Sequence, residues 1–251
     1  MLEVTDVSKR FGGVQALNGV TLGIEAGEIF GLIGPNGAGK TTLFNVISGV
    51  YYPDGGRVVL QGTDITGLKP HEICGRGIAR TFQLVQPFAE MTVLDNVGAG
   101  RLFGREGREG RMSLRRARDE ARDLLRFGKL EGREVRRAAT LTLSERKRLE
   151  MVRALATGPT LLLLDEVMAG LNQAEAEEMG EIVRALPQAM RLTVLFIEHN
   201  VRLVTGLCTR LAVLDYGQII AQGEPEAVVR DEAVIRAYLG DRWARRMASR
   251  A

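Results

Sequence analysis

The chain has 251 residues, 45% of them hydrophobic and 26% charged, and a net charge of +3. That balance excludes a disordered, collagen-like or disulfide-scaffold chain and fits one large globular domain or two small ones. No apolar run approaches the ~18 residues that a membrane-spanning helix needs. The start, Met1-Leu2-Glu3-Val4, has neither the basic nor the apolar part of a secretory leader, and Cys74 and Cys208 lack metal-ligand spacing. A cytosolic protein with reduced thiols is expected.

Glu28-Ile29-Phe30-Gly31-Leu32-Ile33 predicts a short buried strand. It runs into Gly34-Pro35-Asn36-Gly37-Ala38-Gly39-Lys40-Thr41-Thr42, which fits the phosphate-loop pattern of glycine, four residues, then Gly-Lys-Ser/Thr. Leu43, Val46 and Ile47 follow at helical spacing, and Gly49 is placed to end that helix. Strand, glycine loop, helix is the context the pattern requires. Backbone N–H groups of the loop then converge on one concavity, and the helix start adds partial positive charge. Glycine supplies positive φ and close backbone approach. Lys40 is placed to reach the β- and γ-phosphates of a nucleotide, Thr41 to offer its hydroxyl to Mg²⁺, and Thr42 to make a further phosphate contact.

Residues 101–150 hold 16 Lys/Arg against 9 Asp/Glu. Within them Gly104-Arg105-Glu106-Gly107-Arg108-Glu109-Gly110-Arg111 has no hydrophobic side chain and reads as a flexible linker. Ser113 is then placed to cap a helix on which Leu114, Ala117, Ala121, Leu124 and Leu125 recur at helical spacing. A basic helix of this kind suits nucleic acid or an anionic membrane, but a solvated face is the simpler expectation. The scarcity of aromatic residues argues against base stacking, so no nucleic-acid partner is expected.

Thr160-Leu161-Leu162-Leu163-Leu164 is an apolar strand ending at Asp165-Glu166. Such a run suits a parallel sheet covered on both faces, whose ligands lie beyond the carboxyl ends of its strands. Asp165 is therefore placed to hold Mg²⁺, directly or through water, and Glu166 to polarise an attacking water. Thr193-Val194-Leu195-Phe196-Ile197 repeats the pattern and ends at Glu198-His199, which brings His199 toward the γ-phosphate. His71, after Pro70, has no such placement and reads as surface. Leu211–Leu214 and Gln218–Ala221 predict a hairpin turning at Asp215-Tyr216-Gly217.

These motifs, in this order over about residues 2–240, resemble the ATP-binding subunit of ABC transporters. The resemblance implies an α/β phosphate-loop NTPase core of ABC type. Its sheet is mostly parallel, with an antiparallel N-terminal β-subdomain and an inserted helical subdomain. A single domain would cover 1–240, with core 1–93 and 158–225 and insert 94–157. Residues 226–251 would form a short C-terminal helix and a basic tail containing Trp243. ATP and Mg²⁺ are the implied cofactors, and the implied activity is ATP hydrolysis. The implied partners are a second ABC ATPase subunit paired head to tail, transmembrane permease subunits and, indirectly, a periplasmic binding protein. The implied location is peripheral, on the inner face of the cell membrane.

By the same resemblance Phe11 stacks on adenine. Thr81-Phe82-Gln83 matches the glutamine loop, where Gln83 reaches Mg²⁺ and the attacking water. His199 matches the switch histidine, and Ala169-Gly170-Leu171-Asn172 the loop that communicates between subunits. Phe11-Gly12-Gly13, Leu43-Phe44-Asn45, Gly77–Gln83, Ala169–Asn172 and Val234–Gly240 are similar to the subgroup importing branched-chain and other hydrophobic amino acids. Subunits serving urea, amides or aromatic acids share much of this wording. Another small solute, a lipid, or a soluble nucleotide-gated module are the alternatives.

Two positions depart from the family. Its signature, usually Leu-Ser-Gly-Gly-Gln, reads Leu141-Thr142-Leu143-Ser144-Glu145 here. Thr142 keeps the hydroxyl, Ser144 replaces a glycine, and Glu145 brings negative charge toward the second subunit's ATP. Thr142-Leu143-Ser144-Glu145 also spells a capping box, which would fold the glutamate back. An asymmetric heterodimer with a second cassette of intact signature is favoured, and a homodimer stays open. Val167 stands where the family usually has proline, with little effect expected on the chemistry.

Overall fold

A computed structural model describes residues 1–82, 86–108, 110 and 112–239. The chain opens with β1 (Leu2–Phe11), β2 (Val14–Ile24), β3 (Ile29–Ile33), α1 (Lys40–Ile47), β4 (Gly55–Leu60) and β5 (Thr63–Asp64). Next come α2 (Pro70–Gly75), β6 (Ile78–Arg80), α3 (Val93–Phe103), α4 (Arg105–Arg108), α5 (Leu114–Phe127) and α6 (Leu143–Ala156). Then β7 (Leu161–Asp165), α7 (Gln173–Met190), β8 (Thr193–Ile197), α8 (Val201–Leu207), β9 (Arg210–Asp215), β10 (Gln218–Gly223), α9 (Pro225–Val229) and α10 (Glu232–Leu239) complete it. Two units divide the chain. One takes Met1–Lys69 and the described residues from Leu195 on, the other Pro70–Val194, so the division falls inside β8.

In the first unit β1 and β2 alternate buried and exposed side chains, as a sheet with one covered face demands. Leu2, Val4 and Val7 point inward from β1, and Leu17, Val20, Leu22 and Ile24 from β2. These strands belong to an antiparallel sheet of order β2-β1-β4-β5. All five residues of β3 are buried, and β3 pairs in parallel with β9. β9 and β10 form the expected hairpin, with Gln218 opposite Asp215. Tyr216 and Gly217 make its two-residue turn with φ of 42° and 78°, the twist that suits right-handed strands. The turn is fastened to the phosphate loop, since the Gly217 N–H donates to the Ala38 carbonyl at 2.9 Å.

In the second unit β6 pairs in parallel with β7, every residue of which is buried. Helices α3, α5 and α6 pack around Val93, Val97, Ala121, Leu125, Leu149 and Val152. Ser113 caps α5 by accepting from the Arg116 N–H at 3.2 Å. Ala117, Ala121 and Leu125 form its buried face, while Leu114 in the first turn stays exposed. Three arginines of α5 pair within the helix, Arg116 with Glu120, Arg122 with Asp119 and Arg126 with Asp123, while Arg118 reaches Asp95 of α3 at 3.0 Å. That is the solvated face, and each such pair adds little stability.

The flexible linker expected at 104–111 is not what forms. Arg105–Arg108 make a helical turn, and the Arg105 N–H donates to the Thr157 carbonyl at 2.9 Å. The glycines serve close packing instead. A Cβ on Gly100 would lie 2.8 Å from the Ala156 Cβ, and one on Gly104 2.6 Å from the Thr157 Cα. Glu109 and Arg111 lie outside the described residues. At the other end two short helices, α9 and α10, stand where one was expected, and the tail from Gly240, with Trp243, also lies outside. Among the described residues no helix is long and apolar enough to cross a membrane. Both cysteines are free, and burial, with Glu28 nearby, pushes the Cys208 thiol up to about 12.

Candidate nucleotide site

The first unit carries Phe11, the phosphate loop and His199. Gly34 follows β3 and Gly39 precedes α1, with φ of 154° and 107°. A Cβ on Gly34 would overlap the Leu214 carbonyl oxygen, and one on Gly39 the Ala16 carbonyl oxygen. Gly37, with φ of 80°, has no atom within 4 Å of such a Cβ. Gly34 and Gly39 therefore fix the loop against its own chain, and Gly37 supplies conformation only. Pro35 and Asn36 complete the outer curve, and the Ala38 N–H closes it onto the Pro35 carbonyl at 3.2 Å. Lys40 is 6% exposed, and its Nζ donates to the Gly34 and Pro35 carbonyls at 2.7 and 2.9 Å. The first turn of α1 has no side-chain cap and no carboxylate, so its N–H groups keep their positive character. Thr41 is exposed and Thr42 half-buried.

The Phe11 ring is 42% exposed. Tyr51 packs edge-on against it at 5.1 Å between centroids, and Lys9 Nζ lies 5.6 Å from its centre. Asp54 holds that lysine at 2.8 Å and accepts from the Arg10 N–H at 2.7 Å. The Tyr51 N–H donates to the Asn45 carbonyl of α1, so the ring is tied to the phosphate-loop helix. Only Phe11 was recognisable from sequence. His199 is exposed at the end of β8, between buried Glu198 and Asn200, which caps α8.

The second unit carries Asp165, Glu166 and the signature segment. Asp165 is 2% exposed and pairs with Arg80 of β6 at 2.8 Å. The Thr81 hydroxyl accepts from the Asp165 N–H at 3.1 Å, which brings residues 81–82 beside the end of β7. Gln83 lies outside the described residues. Just before it, the Phe82 N–H donates to buried Glu150 of α6 at 3.1 Å. Burial pushes the Glu150 carboxyl up, against that N–H and the charges of Arg153 and Lys147. Glu166 is half-buried, with φ of 50°. Thr41 of the first unit and Asp165 of the second each offer side-chain oxygen, the donor type that Mg²⁺ takes.

The capping box forms at 142–145. The Glu145 N–H donates to the Thr142 hydroxyl at 3.2 Å, and Glu145 accepts from the Thr142 N–H at 3.0 Å. Arg133 binds the same carboxylate at 2.7 Å, with Arg136 at 3.9 Å. Glu145 and Ser144 are both buried, and Thr142 is exposed. The charge expected to face phosphate is thus turned inward and neutralised. The 169–172 loop lies against this segment, with Gly170 beside Leu143, and Asn172 starts α7 in a second capping box with Glu175.

Burial pushes the Glu145 carboxyl up, but the bond from Arg133, the Thr142 N–H and the two arginine charges outweigh it and hold it below the usual range. A lowered carboxyl stabilises the fold above its unfolded pKa of about 4.3, and this is lost as pH falls through the folded value. Glu145→Gln keeps the capping bonds but loses the charge paired with Arg133, and is expected to cost up to about 1 kcal/mol at neutral pH. Urea melts should show the gap to wild type persisting down to about pH 4 and closing below it.

Residues 17–169 match the family described as ABC transporter. The chain belongs to the ABC transporter family. Residues 218–244 match a second family, described as branched-chain amino acid ATP-binding cassette transporter. The cassette is 41% identical to the high-affinity branched-chain amino acid transport ATP-binding protein LivG of Escherichia coli K12, covering 96% of this chain and 98% of that one. It is 39% identical, with the same coverage, to BraF of Pseudomonas aeruginosa PAO1, which carries the same description. Among solved structures it is similar to the ADP conformation of MJ1267, an ATP-binding cassette of an ABC transporter. That match has a TM-score of 0.86 and 35% identity over 96% of this chain and 99% of that one. The dimeric bacterial ABC transporter cassette MJ0796 matches with a TM-score of 0.80 at 25% identity, covering 90% and 99%.

Proposed function

We propose that this cassette binds and hydrolyses ATP to power an ABC uptake transporter for branched-chain or other hydrophobic amino acids. The observation that carries the reading is the full-length similarity to LivG and BraF, joined to an intact phosphate loop and the Asp165-Glu166 strand end. Residues 34–42 bind the triphosphate, and Phe11, framed by Tyr51 and Lys9, stacks on adenine. Glu166 and Gln83 orient water, and His199 steadies the reacting geometry. Thr41, Gln83 and Asp165 would hold Mg²⁺, which would neutralise charge on the phosphates when bound. Catalysis is then positioning plus electrostatic stabilisation.

The partners are a second cassette, whose ATP meets the 141–145 segment at the start of α6 through exposed Thr142, with Ser144 and Glu145 buried behind it, and permease subunits at the membrane's inner face. A heterodimer is the favoured pairing, on the wording of 141–145. The inward Glu145, its charge paired with Arg133, also suits a homodimer. Phe82, Phe88 and Met91 are each exposed, and apolar side chains open to solvent suit contact with a permease helix. In vesicles holding the cassette, its permeases and a binding protein, leucine is expected to raise ATP turnover several-fold. Stimulation by urea or aromatic acids, and not by leucine, would reassign the solute.

A further inference from the structure

Among the described residues of the second unit, three that are not glycine have positive φ: Lys129, Glu166 and Arg191. Lys129 and Arg191 follow the ends of α5 and α7, where the left-handed form is an ordinary helix stop. Glu166 has no helix before it. It follows directly on β7, and such a backbone persists only where its surroundings hold it. The Glu166 carbonyl accepts twice, from the Ala169 N–H at 3.1 Å and from Lys147 Nζ at 2.9 Å. The first bond is local to the turn. The second comes from the second turn of α6, where Lys147 is 6% exposed.

We propose that Lys147 is a positioning residue for Glu166. By gripping the carbonyl it holds the left-handed backbone and so aims the carboxylate. The inference rests on the reading of Glu166 as the group that orients water. Its root in α6 gives the grip a further consequence. The start of that helix is the segment assigned to the second cassette's ATP, so binding there bears on the aim of Glu166 in this chain's own site. Leu143 also lies beside Gly170, where an added Cβ would meet it at 3.4 Å, so the same segments adjoin at a second place.

Lys147→Met keeps length and volume and removes the donor. In the assembled complex it is expected to lower kcat at least tenfold, because small misplacements of a reacting group are costly. KM for ATP, ADP affinity and melting temperature are expected to stay near wild type, as for a group acting only on the chemical step. In a Glu166→Gln background Lys147→Met should cause no further loss, since both act through one carboxylate. An unchanged kcat would overturn the inference. So would ADP affinity or cooperative melting lost together with kcat, which marks an ordinary structural residue, and so would additive losses in the double variant. Glu166→Gln alone turning over normally would instead remove the role assigned to Glu166, whatever Lys147→Met does.

Discussion

Gly39→Ala is expected to destabilise the cassette by about 3 kcal/mol or more and to abolish ADP binding. Two costs combine. The φ of 107° is strained for any residue with a side chain, and the new methyl would press on the Ala16 carbonyl, a backbone atom that cannot rotate away. Leu17 crowds the same point at 3.1 Å. Gly37→Ala is the matched control. Its φ of 80° carries the strain alone, since no neighbour lies within 4 Å, and the stability cost should be nearer 1 kcal/mol. Urea melts of the two variants should rank them in this order. Equal losses would mean that the contact between the loop and residue 16 does not shape the site.

The second large effect concerns Arg80. Its pair with Asp165 has side chains only 6% and 1% exposed. Arg80→Leu strips this cation from a buried carboxylate, and breaking such a pair from one side costs about 3–5 kcal/mol. Replacing both partners, as Arg80→Leu with Asp165→Leu, should cost less than the single change, because no buried charge is left behind. Denaturant melts of the single and double variants test this. A single variant as stable as wild type would contradict the reading of the pair as structural.

Features written in contiguous residues were legible. The phosphate loop, β3, β7, β8, the β9–β10 hairpin and the Thr142 capping box each lie within about ten residues, where periodicity, turn chemistry and capping rules act. Asn172 and Glu175 carried the same capping signal at the same spacing. Long-range partners left no such trace. Arg80 finds Asp165 across 85 residues, and Lys147 meets a backbone carbonyl, which no residue type advertises. Gly104 and Gly107 read as linker because glycine marks both flexible chain and tight packing. Only the neighbouring backbone, Thr157 at Gly104 and Leu102 at Gly107, decides between them. Phe11 was found through family resemblance, but Tyr51, Lys9 and Asp54 around it were not, since their meeting depends on how the β1 end folds onto residues 49–54.

ATP turnover of Glu166→Gln against wild type, in the assembled complex, tests the central claim most directly. If the chain is a transport ATPase with Glu166 orienting water, turnover falls at least ~100-fold while ATP and ADP still bind with near wild-type affinity. Near-normal turnover in the variant would contradict it.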